Sequence, residues 1–316
     1  MLGGKVMKKV LIIGDVMVDE YLEGRVDRIS PEAPVPVFLE MHRDLGPGGA
    51  ANVARNLRAM AVDVRLIGCV GNDYTGEALL GLLNAYDVPC TLVEAADRPT
   101  TRKTRYVSQG QQILRVDNET TVPISKGTED RLIETVYRAI YGASFLVISD
   151  YAKGVMTERL LREIIACARS RDIPVVVDPK ARNFSVYSRA TVLKPNAHEL
   201  GAATGMPTET DEEVVEASWR VMDDIDIRNV LTTRAEKGMT LVGRDIPPIH
   251  IPTAAREIYD VVGAGDTALA AFVAAAAAGM TFEESASVAN TAAGIAVGKR
   301  GTSAVTLDEI RERAST

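Results

Sequence analysis

The feature that most constrains the fold is a repeated alternation between short apolar runs and segments with helical spacing. Runs rich in Val, Ile and Leu occur at 9–18, 64–71, 145–150, 174–179, 191–196 and 229–233. Segments with apolar residues at helical spacing occur at 48–60, 74–86, 157–171, 266–279 and 282–299. Continuous β-branched runs separated by helices are typical of a mostly parallel sheet that is covered on both faces. We therefore predict an α/β fold in three layers, with a mostly parallel central sheet between two layers of helices.

Two stretches interrupt this alternation and predict a second, smaller sheet. Residues 19–45 include PEAPVPVFLEMHR, and residues 88–117 include CTLVEA, TTRKTRYVS and QQILRVD, which alternate in polarity around turn signals such as SQGQ. We expect these segments to form antiparallel strands outside the main sheet, as a lid inserted into one domain that spans residues 1–316. An apolar face of such a lid must be covered, and we expect a homodimer formed through it.

The composition narrows the range of partners. The net charge of −7 argues against nucleic acid or an anionic membrane as the main partner. The first apolar run is too short to cross a bilayer and contains Asp15, and no signal peptide precedes it, so we expect a cytoplasmic protein. Cys69, Cys90 and Cys167 form no CxxC motif, so we expect free thiols in a reducing compartment. The three histidines lie far apart, which disfavours a zinc site.

The stretch DVVGAGDTALAAF, residues 260–272, combines two glycines and an acid with the start of a predicted helix. The glycines allow a sharp turn that leaves N–H groups uncovered, and the helix N-terminus adds partial positive charge. Together they predict an anion-binding pocket with Asp266 at its mouth, placed to accept a proton. Phosphoryl transfer to an alcohol requires this combination of a base and anion donors. The motif alone leaves an alternative open, in which Asp266 only caps the helix and the glycines only serve the turn.

The stretch LGPGGAANVARNL, residues 45–57, brings glycines to the start of another predicted helix. Its spacing approaches the GxGxxG/A fingerprint of dinucleotide-binding folds, but the preceding segment is alternating and charged rather than a buried strand. A second interpretation is that Gly48 and Gly49 expose backbone amides to a hydroxylated ligand, with Asn52 adding a side-chain donor and acceptor. A role in packing alone also remains open.

Asp15 and Asp19 follow the first predicted strand, four residues apart, in IIGDVMVDEY. Parallel sheets bind ligands beyond the carboxyl ends of their strands. Two carboxylates there can each accept hydrogen bonds from neighbouring sugar hydroxyls. Glycosidase chemistry is a competing interpretation that no other feature supports. A turn or capping role for one of the two acids also remains open.

The stretch LKPNAHELG, residues 193–201, places Asn196 and Glu199 three residues apart at the start of a predicted helix, and so on one face. An amide and an acid there are suited to hold a hydrated Mg²⁺ beside phosphate groups. A capping box, with Asn196 as N-cap and Glu199 completing it, fits the local sequence equally well.

Several cations are placed to meet an anionic substrate. Lys153 and Lys180 follow predicted strands, and Arg102, Lys103 and Arg105 lie in the predicted lid. Each such side chain is more often solvated than bound to a ligand, although an anionic substrate requires some of them.

Taken together, these segments resemble the ribokinase (PfkB-type) superfamily of sugar kinases. The matching features are the first strand ending in GD with Asp19 after it, GPGGAANVARNL, NAHE and DVVGAGD, in the family's order and across nearly the whole chain. The segments GDVMVDEY, RISPEAPVPV, GPGGAANVA and SDYAKGV are similar to those of the D-glycero-β-D-manno-heptose-7-phosphate kinases. In many bacteria such a kinase is fused to a nucleotidyltransferase domain, and we expect this chain of 316 residues to be a kinase that stands alone.

The resemblance implies a ribokinase-like fold and an ATP-dependent sugar kinase. Its expected reaction is phosphorylation of O1 of heptose 7-phosphate, which gives the 1,7-bisphosphate for ADP-heptose and the inner core of lipopolysaccharide. A kinase of the same superfamily for another sugar, sugar phosphate or nucleoside is one alternative. A regulator that binds nucleotide or sugar without catalysis is the other, although it would have no need of Asp266.

The resemblance also implies roles on the sugar side of the site. Asp266 would be the general base that takes the proton from the anomeric O1 hydroxyl. The residues that would present amides to the γ-phosphate are Gly263, Ala264 and Gly265. The residues that would hold the sugar are Asp15, Asp19, Gly48, Gly49 and Asn52. For the 7-phosphate we predict Arg105, Lys153 and Lys180, which are inferred from charge rather than from a family signature.

On the nucleotide side, the resemblance implies that Asn196 and Glu199 serve Mg²⁺ and the ATP phosphates. TTRAEKG, residues 232–238, lies where the family places a nucleotide-binding turn, often TxGxxG, but Arg234 or Ala235 replaces the inner glycine. The contacts predicted on this side are Thr232, Thr233, Gly238 and Asn290. The loop KRGTSAV, residues 299–305, resembles the segment that often helps these kinases bind a monovalent cation such as K⁺.

Overall fold

A nine-stranded sheet lies at the centre of the computed structural model, which describes residues 8–180, 183–255, 259–299, 301 and 303–314. The strands of these residues are β1 (Lys9–Gly14), β2 (Val16–Ile29), β3 (Pro36–Gly49), β4 (Val64–Gly71), β5 (Cys90–Ala95), β6 (Thr101–Ser108), β7 (Gln111–Asn118), β8 (Ala143–Ser149), β9 (Val175–Asp178), β10 (Val192–Leu193), β11 (Asn229–Thr233), β12 (Met239–Gly243) and β13 (Ile246–Ile251). The α-helices of the same residues are α1 (Ala50–Ala59), α2 (Tyr74–Ala85), α3 (Lys126–Ala139), α4 (Glu158–Arg169), α5 (Ala197–Thr204), α6 (Asp211–Ile225), α7 (Ala264–Ala277), α8 (Phe282–Ala296) and α9 (Leu307–Ala314).

The main sheet has the strand order β13-β12-β11-β10-β9-β8-β1-β4-β5. Neighbouring strands are parallel from β11 through to β5, and β12 and β13 add antiparallel pairs at the opposite edge. The predicted three-layer α/β fold with a mostly parallel sheet is therefore confirmed. The chain leaves β1 toward β4 on one side and later returns to β8 on the other. Ligands bind at such a switch point in open α/β sheets, beyond the carboxyl ends of the strands.

The side chains of β1 alternate between two hydrophobic cores. Val10 and Ile12 pack with α1, α2, α7 and α8 on one face, and Leu11 and Ile13 pack with α3, α4 and α6 on the other. All four side chains are fully buried. Burial on both faces explains why this strand is a continuous apolar run in the sequence. It also fixes the position of Asp15, which follows the strand directly.

A second sheet, in the order β3-β2-β6-β7, forms the predicted lid. Strands β2 and β3 and strands β6 and β7 pair antiparallel, while β2 and β6 run parallel. Asp15 alone separates β1 from β2, and β3 ends at Gly49, directly before α1. Strands β2 and β3 are therefore joined to the core at these two residues, and strands β6 and β7 are joined to it through residues 96–100 and 119–125.

One part of the lid prediction is wrong. The segment CTLVEA, within the predicted lid stretch 88–117, forms β5, which pairs parallel to β4 at the edge of the main sheet. Its side chains are only partly buried because an edge strand is less completely covered than a central one. A half-covered edge strand and a lid strand therefore produce the same alternation in the sequence.

Helix α7 begins differently from most of the other helices. At the starts of α2, α3, α4, α6 and α8, a backbone N–H of the first turn donates to the side chain of the N-cap residue, which is Asp73, Ser125, Thr157, Thr210 and Thr281 respectively. Helix α7 starts instead at Gly263, with φ 78° and no side-chain cap. The left-handed backbone favours glycine. The Ala264 amide donates to the Val261 carbonyl oxygen over 3.3 Å, and because no side chain of the described residues caps this helix, an anion can meet the other N–H groups of its first turn. The helix is buried from Asp266 to Ala277 and packs between α1 and α8.

The helices of the described chain are short. Helices α6 and α8 have 15 residues each, and no described helix is long and apolar enough to cross a membrane. Cys69, Cys90 and Cys167 carry free thiols, as predicted.

Candidate active site

A cluster of carboxylates lies at the carboxyl ends of neighbouring strands. Asp15 follows β1, Asp150 follows β8, and Asp178 ends β9. Asp266 joins them from the first turn of α7, and all four residues are buried. The sheet and α7 therefore bring together acids that are as far as 251 positions apart in the chain, since 266 − 15 = 251.

Asp266 does not cap its helix, because the N-cap position belongs to Gly263. Its carboxylate instead receives two side-chain hydrogen bonds. Nδ2 of Asn52 donates to Oδ2 over 2.9 Å, and the Tyr151 hydroxyl donates to Oδ1 over 2.5 Å. Burial raises the pKa of Asp266 to about 6, while these two hydrogen bonds lower it in part. A carboxyl group with this pKa is largely ionised at neutral pH and can accept a proton.

The glycine run packs tightly against the acids after β1. A Cβ on Gly48 would lie 2.3 Å from Oδ2 of Asp19, and one on Gly49 would lie 2.5 Å from the Asp15 carbonyl oxygen. Gly49 also has φ 58°, in the left-handed region. Both glycines are therefore required by close packing. The dinucleotide-binding fingerprint requires a strand of the main sheet just before its glycines. Here that segment is β3, which belongs to the lid, so the dinucleotide interpretation is not supported.

The carboxyl group of Asp15 interacts through its charge with that of Asp150. Oδ2 of Asp15 accepts backbone N–H groups from Tyr151 over 2.7 Å and Lys153 over 3.2 Å, while Oδ1 is buried without a hydrogen-bond partner. Burial and the neighbouring Asp150 raise the pKa of Asp15 to about 6. Burial also raises the pKa of Asp150, which accepts hydrogen bonds from the Tyr187 hydroxyl and the Ala152 amide. The free oxygen of Asp15 leaves room for one more donor.

The three predicted phosphate ligands each form an ion pair with a carboxylate. Arg105 lies 2.6 Å from Asp19 and is buried, with its guanidinium over the Tyr21 ring. The other two pairs are Lys153 with Glu119, at 2.6 Å, and Lys180 with Glu199. Their assignment to a substrate phosphate remains a prediction. A phosphate in this structure would have to share each cation with a carboxylate.

Lys103, on the same lid strand as Arg105, has a different environment. Its Nζ atom lies 5.6 Å from the centre of the Tyr151 ring. Burial and the nearby Lys153 lower the pKa of Lys103. An anion that entered between lid and core would relieve the repulsion between these two lysines.

Asn196 and Glu199 form the capping box that the sequence left open as an alternative to a metal site. Oδ1 of Asn196 accepts the Glu199 amide and Oε2 of Glu199 accepts the Asn196 amide, each over 2.8 Å. Glu199 also pairs with Lys180. In the described residues no three His, Cys, Asp or Glu side chains are grouped to hold a metal. Mg²⁺ usually keeps several waters and binds through substrate phosphates and one or two carboxylates, and Glu199 beside Asp178 fits that pattern.

Lys194 is a site residue that the sequence reasoning missed. It follows β10, is 3 % exposed, and its Nζ atom lies 3.1 Å from Oδ2 of Asp178. A Cβ built on Gly265 would lie 3.9 Å from the same Nζ atom, so the ammonium group lies beside the start of α7. A lysine inside the predicted apolar run 191–196, two residues before Asn196, was the available signal, because a buried strand seldom contains a charge.

The predicted nucleotide-side residues gather around β11 and the end of β13. Thr233 donates its amide to the Pro195 carbonyl oxygen, and the buried Thr232 hydroxyl has no partner. Gly238 has φ 81°, and a Cβ there would lie 2.0 Å from the Ile251 carbonyl oxygen. Nδ2 of Asn290 donates to the Pro252 carbonyl oxygen over 2.7 Å.

The structure explains why this chain has Arg234 in a turn where related kinases often have a glycine. Its guanidinium is buried and bonds to Asp211 at the start of α6 and to the Thr240 hydroxyl. The side chain therefore anchors the turn to α6 and β12, in place of the flexibility that a glycine gives.

The C-terminal loop, predicted to assist a monovalent cation, is described in part, because Arg300 and Thr302 lie outside the described residues. The Val305 amide donates to Oδ1 of Asn56. Nδ2 of Asn56 in turn donates to two oxygens of Asn52, the backbone carbonyl oxygen over 3.0 Å and Oδ1 over 3.3 Å. Gly301 donates its amide to Asp260. The loop is thus tied to the residue that holds Asp266, and its cation role remains a prediction.

An anion pocket, a buried base and a buried ammonium group under a lid suit the transfer of a phosphoryl group to a small hydroxylated molecule. The fold and the site thus define a small-molecule kinase. More specifically, the chain belongs to the pfkB family of carbohydrate kinases, whose family model matches residues 7–309. The predicted membership of this superfamily is therefore confirmed.

Curated relatives extend this similarity over nearly the whole chain. Bifunctional protein HldE of Hyphomonas neptunium is 45% identical over 309 residues, which cover 98% of this chain and 64% of that protein. Bifunctional protein HldE of Azorhizobium caulinodans is 46% identical over 316 aligned residues, which cover 98% of this chain and 65% of that protein. The chain thus spans slightly less than two thirds of the length of these relatives.

Solved structures share the fold at lower sequence identity. Arabidopsis thaliana ribokinase, complexed with ribose and ATP, has a TM-score of 0.79 and 20% identity, with 98% of this chain and 100% of that chain covered. Escherichia coli phosphofructokinase-2, in complex with potassium, has a TM-score of 0.82 and 21% identity, with 98% and 99% covered. The ribokinase-like fold is therefore confirmed.

Proposed function

We propose that the protein transfers the γ-phosphoryl group of ATP to O1 of D-glycero-D-manno-heptose 7-phosphate, giving the 1,7-bisphosphate for ADP-heptose synthesis. The observation that carries the kinase chemistry is the buried Asp266 carboxylate between Asn52 and Tyr151, beside the uncapped start of α7. The choice of sugar rests on the motif resemblance to heptose-7-phosphate kinases and on the similarity to Bifunctional protein HldE. We also propose a cytoplasmic location for the protein.

In the proposed reaction, Asp266 accepts the proton of the sugar hydroxyl as the oxygen forms its bond to the γ-phosphorus. The bond from that phosphorus to the bridging oxygen of ATP breaks in line, and ADP leaves with the electron pair. The amides of Gly263, Ala264 and Gly265 and the Lys194 ammonium group stabilise the charge on the transferred group. Mg²⁺, when bound, neutralises charge on the ATP phosphates, and Glu199 would hold it together with Asn196.

The sugar is proposed to lie between the core and the lid. The unpartnered oxygen of Asp15 accepts one sugar hydroxyl, and Asp19 with Asn52 and the amides near Gly48 and Gly49 line the same side. Cations from both parts supply attraction for the distal phosphate: Lys103 and Arg105 from the lid, and Lys153 and Lys180 from the core. The nucleotide-side residues Thr232, Thr233, Gly238 and Asn290 are proposed to meet ATP, and a monovalent cation such as K⁺ to support that side.

We further propose that the lid joins two copies of the chain. Its strands expose apolar side chains that are 46% to 70% accessible: Leu39, Met41, Ile113, Leu114 and Val116. Exposed apolar side chains on the edge strands of a sheet often mark a surface that another protein covers.

A substrate panel tests the function. ADP release would be measured with sugar 7-, 6- and 5-phosphates and with the corresponding free sugars. We expect the highest kcat/KM with heptose 7-phosphate. Faster turnover of another sugar or of a nucleoside would support the alternative kinase, and absence of ADP release with every acceptor would leave only the non-catalytic alternative.

A further inference from the structure

Tyr151 connects two carboxylates that belong to different parts of the site. Its backbone N–H donates to Oδ2 of Asp15 over 2.7 Å, and its hydroxyl donates to Oδ1 of Asp266 over 2.5 Å. The ring passes close to the glycine run, because a Cβ on Gly49 would lie 3.5 Å from Cδ2 of Tyr151. The residue follows Asp150 directly at the end of β8, so the sheet fixes its backbone.

We propose that Tyr151 is a positioning residue whose hydroxyl holds the Asp266 carboxylate in the orientation and the ionised form that accept the substrate proton. This inference rests on the proposed role of Asp266 as base. Tyr151 and Asn52 each occupy a lone pair on a different oxygen of Asp266, so together they prevent rotation of the carboxylate. Each oxygen keeps a second lone pair, and one of these remains for the sugar hydroxyl.

The charged and titratable groups around Asp266 favour this role. Burial raises the pKa of Asp266 to about 6, and Asp178 adds to the increase, while the hydrogen bonds from Tyr151 and Asn52 and the charge of Lys194 lower it. Lys180 also interacts with Asp266 through its charge. Burial and Asp266 raise the pKa of Tyr151 well above its usual value, so the phenol keeps its proton and always donates. Removing the hydroxyl therefore removes the strongest of the interactions that keep Asp266 ionised.

The test is the pH dependence of Tyr151→Phe. We expect the acidic limb of kcat/KM for the sugar phosphate to move upward by about one pH unit, and the activity at pH 9 to fall by about threefold to tenfold because the carboxylate is less firmly oriented. The variant keeps the backbone N–H to Asp15, so the titration of Asp15 is not altered directly. Tyr137→Phe is the matched control, because its hydroxyl also donates to a carboxylate, Glu163, but on the surface between α3 and α4. That variant should retain the wild-type profile.

A second measurement does not depend on turnover. Carbon-13 NMR of labelled carboxylates, with Asp266→Asn to assign the signal, reports the pKa of Asp266 without sugar or ATP. We expect that pKa to rise in Tyr151→Phe, and to fall when 3-fluorotyrosine, a stronger donor that preserves packing, replaces Tyr151. An unshifted Asp266 titration, or a loss of activity that is equal at all pH values, would overturn the proposal. If the wild-type protein turned over no sugar but the titration shifted, the function would be wrong and the control of Asp266 by Tyr151 would stand.

Discussion

The Nζ atom of Lys194 lies 3.1 Å from Oδ2 of Asp178, and both groups are buried at the carboxyl end of the main sheet. An ammonium group has three N–H donors, so one carboxylate partner leaves others for a phosphate. A Cβ placed on Gly265 would lie 3.9 Å from this Nζ atom, so those donors lie at the start of α7. Burial removes competing water and strengthens the attraction for a phosphoryl group.

Lys194→Met should therefore lower kcat by at least about 10²-fold, since removal of one donor that stabilises transition-state charge has an effect of this size. The KM for the sugar should change little, because Lys194 faces the phosphoryl side. Steady-state kinetics by ADP release would measure both constants. The double variant with Asp178→Asn controls for the carboxylate that the single change leaves buried without its partner. A kcat within tenfold of wild type in either variant would contradict the role.

Asp266→Asn should lower kcat by at least about 10²-fold, because an amide cannot accept the sugar proton. ATP binding should remain close to the wild-type level, since the amides of the α7 start are unchanged. Titration calorimetry with ATP and single-turnover kinetics would separate the two effects. Turnover near the wild-type rate would refute the assignment of Asp266 as base.

The same variant should be more stable than the wild-type protein at high pH. Burial raises the pKa of Asp266 from 3.8 to about 6, so above pH 6 the folded state holds a charge that the unfolded state accommodates more easily. Because the folded form binds the proton more tightly, this contribution favours folding increasingly as the pH falls from 7 toward 4. We expect Asp266→Asn to melt a few degrees higher at pH 8, to keep about half of that advantage at pH 5 and to lose most of it near pH 4, where the unfolded chain also becomes protonated. Differential scanning calorimetry at these values measures it, and an advantage that is independent of pH would exclude the explanation.

Glu199→Gln tests the metal side of the site. Glutamine can still complete a capping box, so the change removes charge while it keeps the local fold. We expect the Mg²⁺ concentration for half-maximal activity to rise about tenfold or more, a usual effect of losing one carboxylate near a metal. Glu284→Gln, in the capping box with Thr281 at the start of α8, is the matched control. Identical Mg²⁺ activation curves for the two variants would show that Glu199 caps its helix and does not bind the metal.

Leu114→Asp tests the proposed lid dimer. Leu114 is 53% exposed on β7, and a carboxylate placed there would be buried without a partner in a joined lid. Light scattering should show a dimer for the wild-type chain and mainly monomer for this variant at micromolar concentration. Leu80→Asp changes a residue of similar exposure, 45%, on α2 and should remain dimeric. Equal masses for all three proteins would oppose an interface at Leu114.

The sequence could predict those features whose physics is local. The apolar runs identify the central strands, because a strand buried on both faces must be apolar throughout. The acids Asp15 and Asp178 could be placed near one another, because the carboxyl ends of parallel strands meet at one edge. The glycines of GAGD could be assigned to the start of a helix, where Gly263 does adopt the left-handed conformation.

Features that depend on distant partners could not be predicted. The contact between Tyr151 and Asp266 joins residues 115 positions apart, and nothing in SDYAKG distinguishes it from a packing tyrosine. Arg105 pairs with Asp19 on the neighbouring lid strand, and only the register of β2 and β6 reveals this pair. Edge position is likewise a property of the sheet rather than of one segment, which is why β5 was assigned to the lid.

The complete burial of α7 from Asp266 to Ala277 restricts which part of the molecule can move. Alanines packed on every side leave no volume for this helix to tilt, since a tilt would open voids on one flank and force overlaps on the other. Enclosure of a substrate must then come from the lid, whose strands β2 and β3 meet the core at Asp15 and Gly49. Substitutions in the packing around α7 should therefore alter the chemical rate, and substitutions in the lid should alter how long the substrate stays.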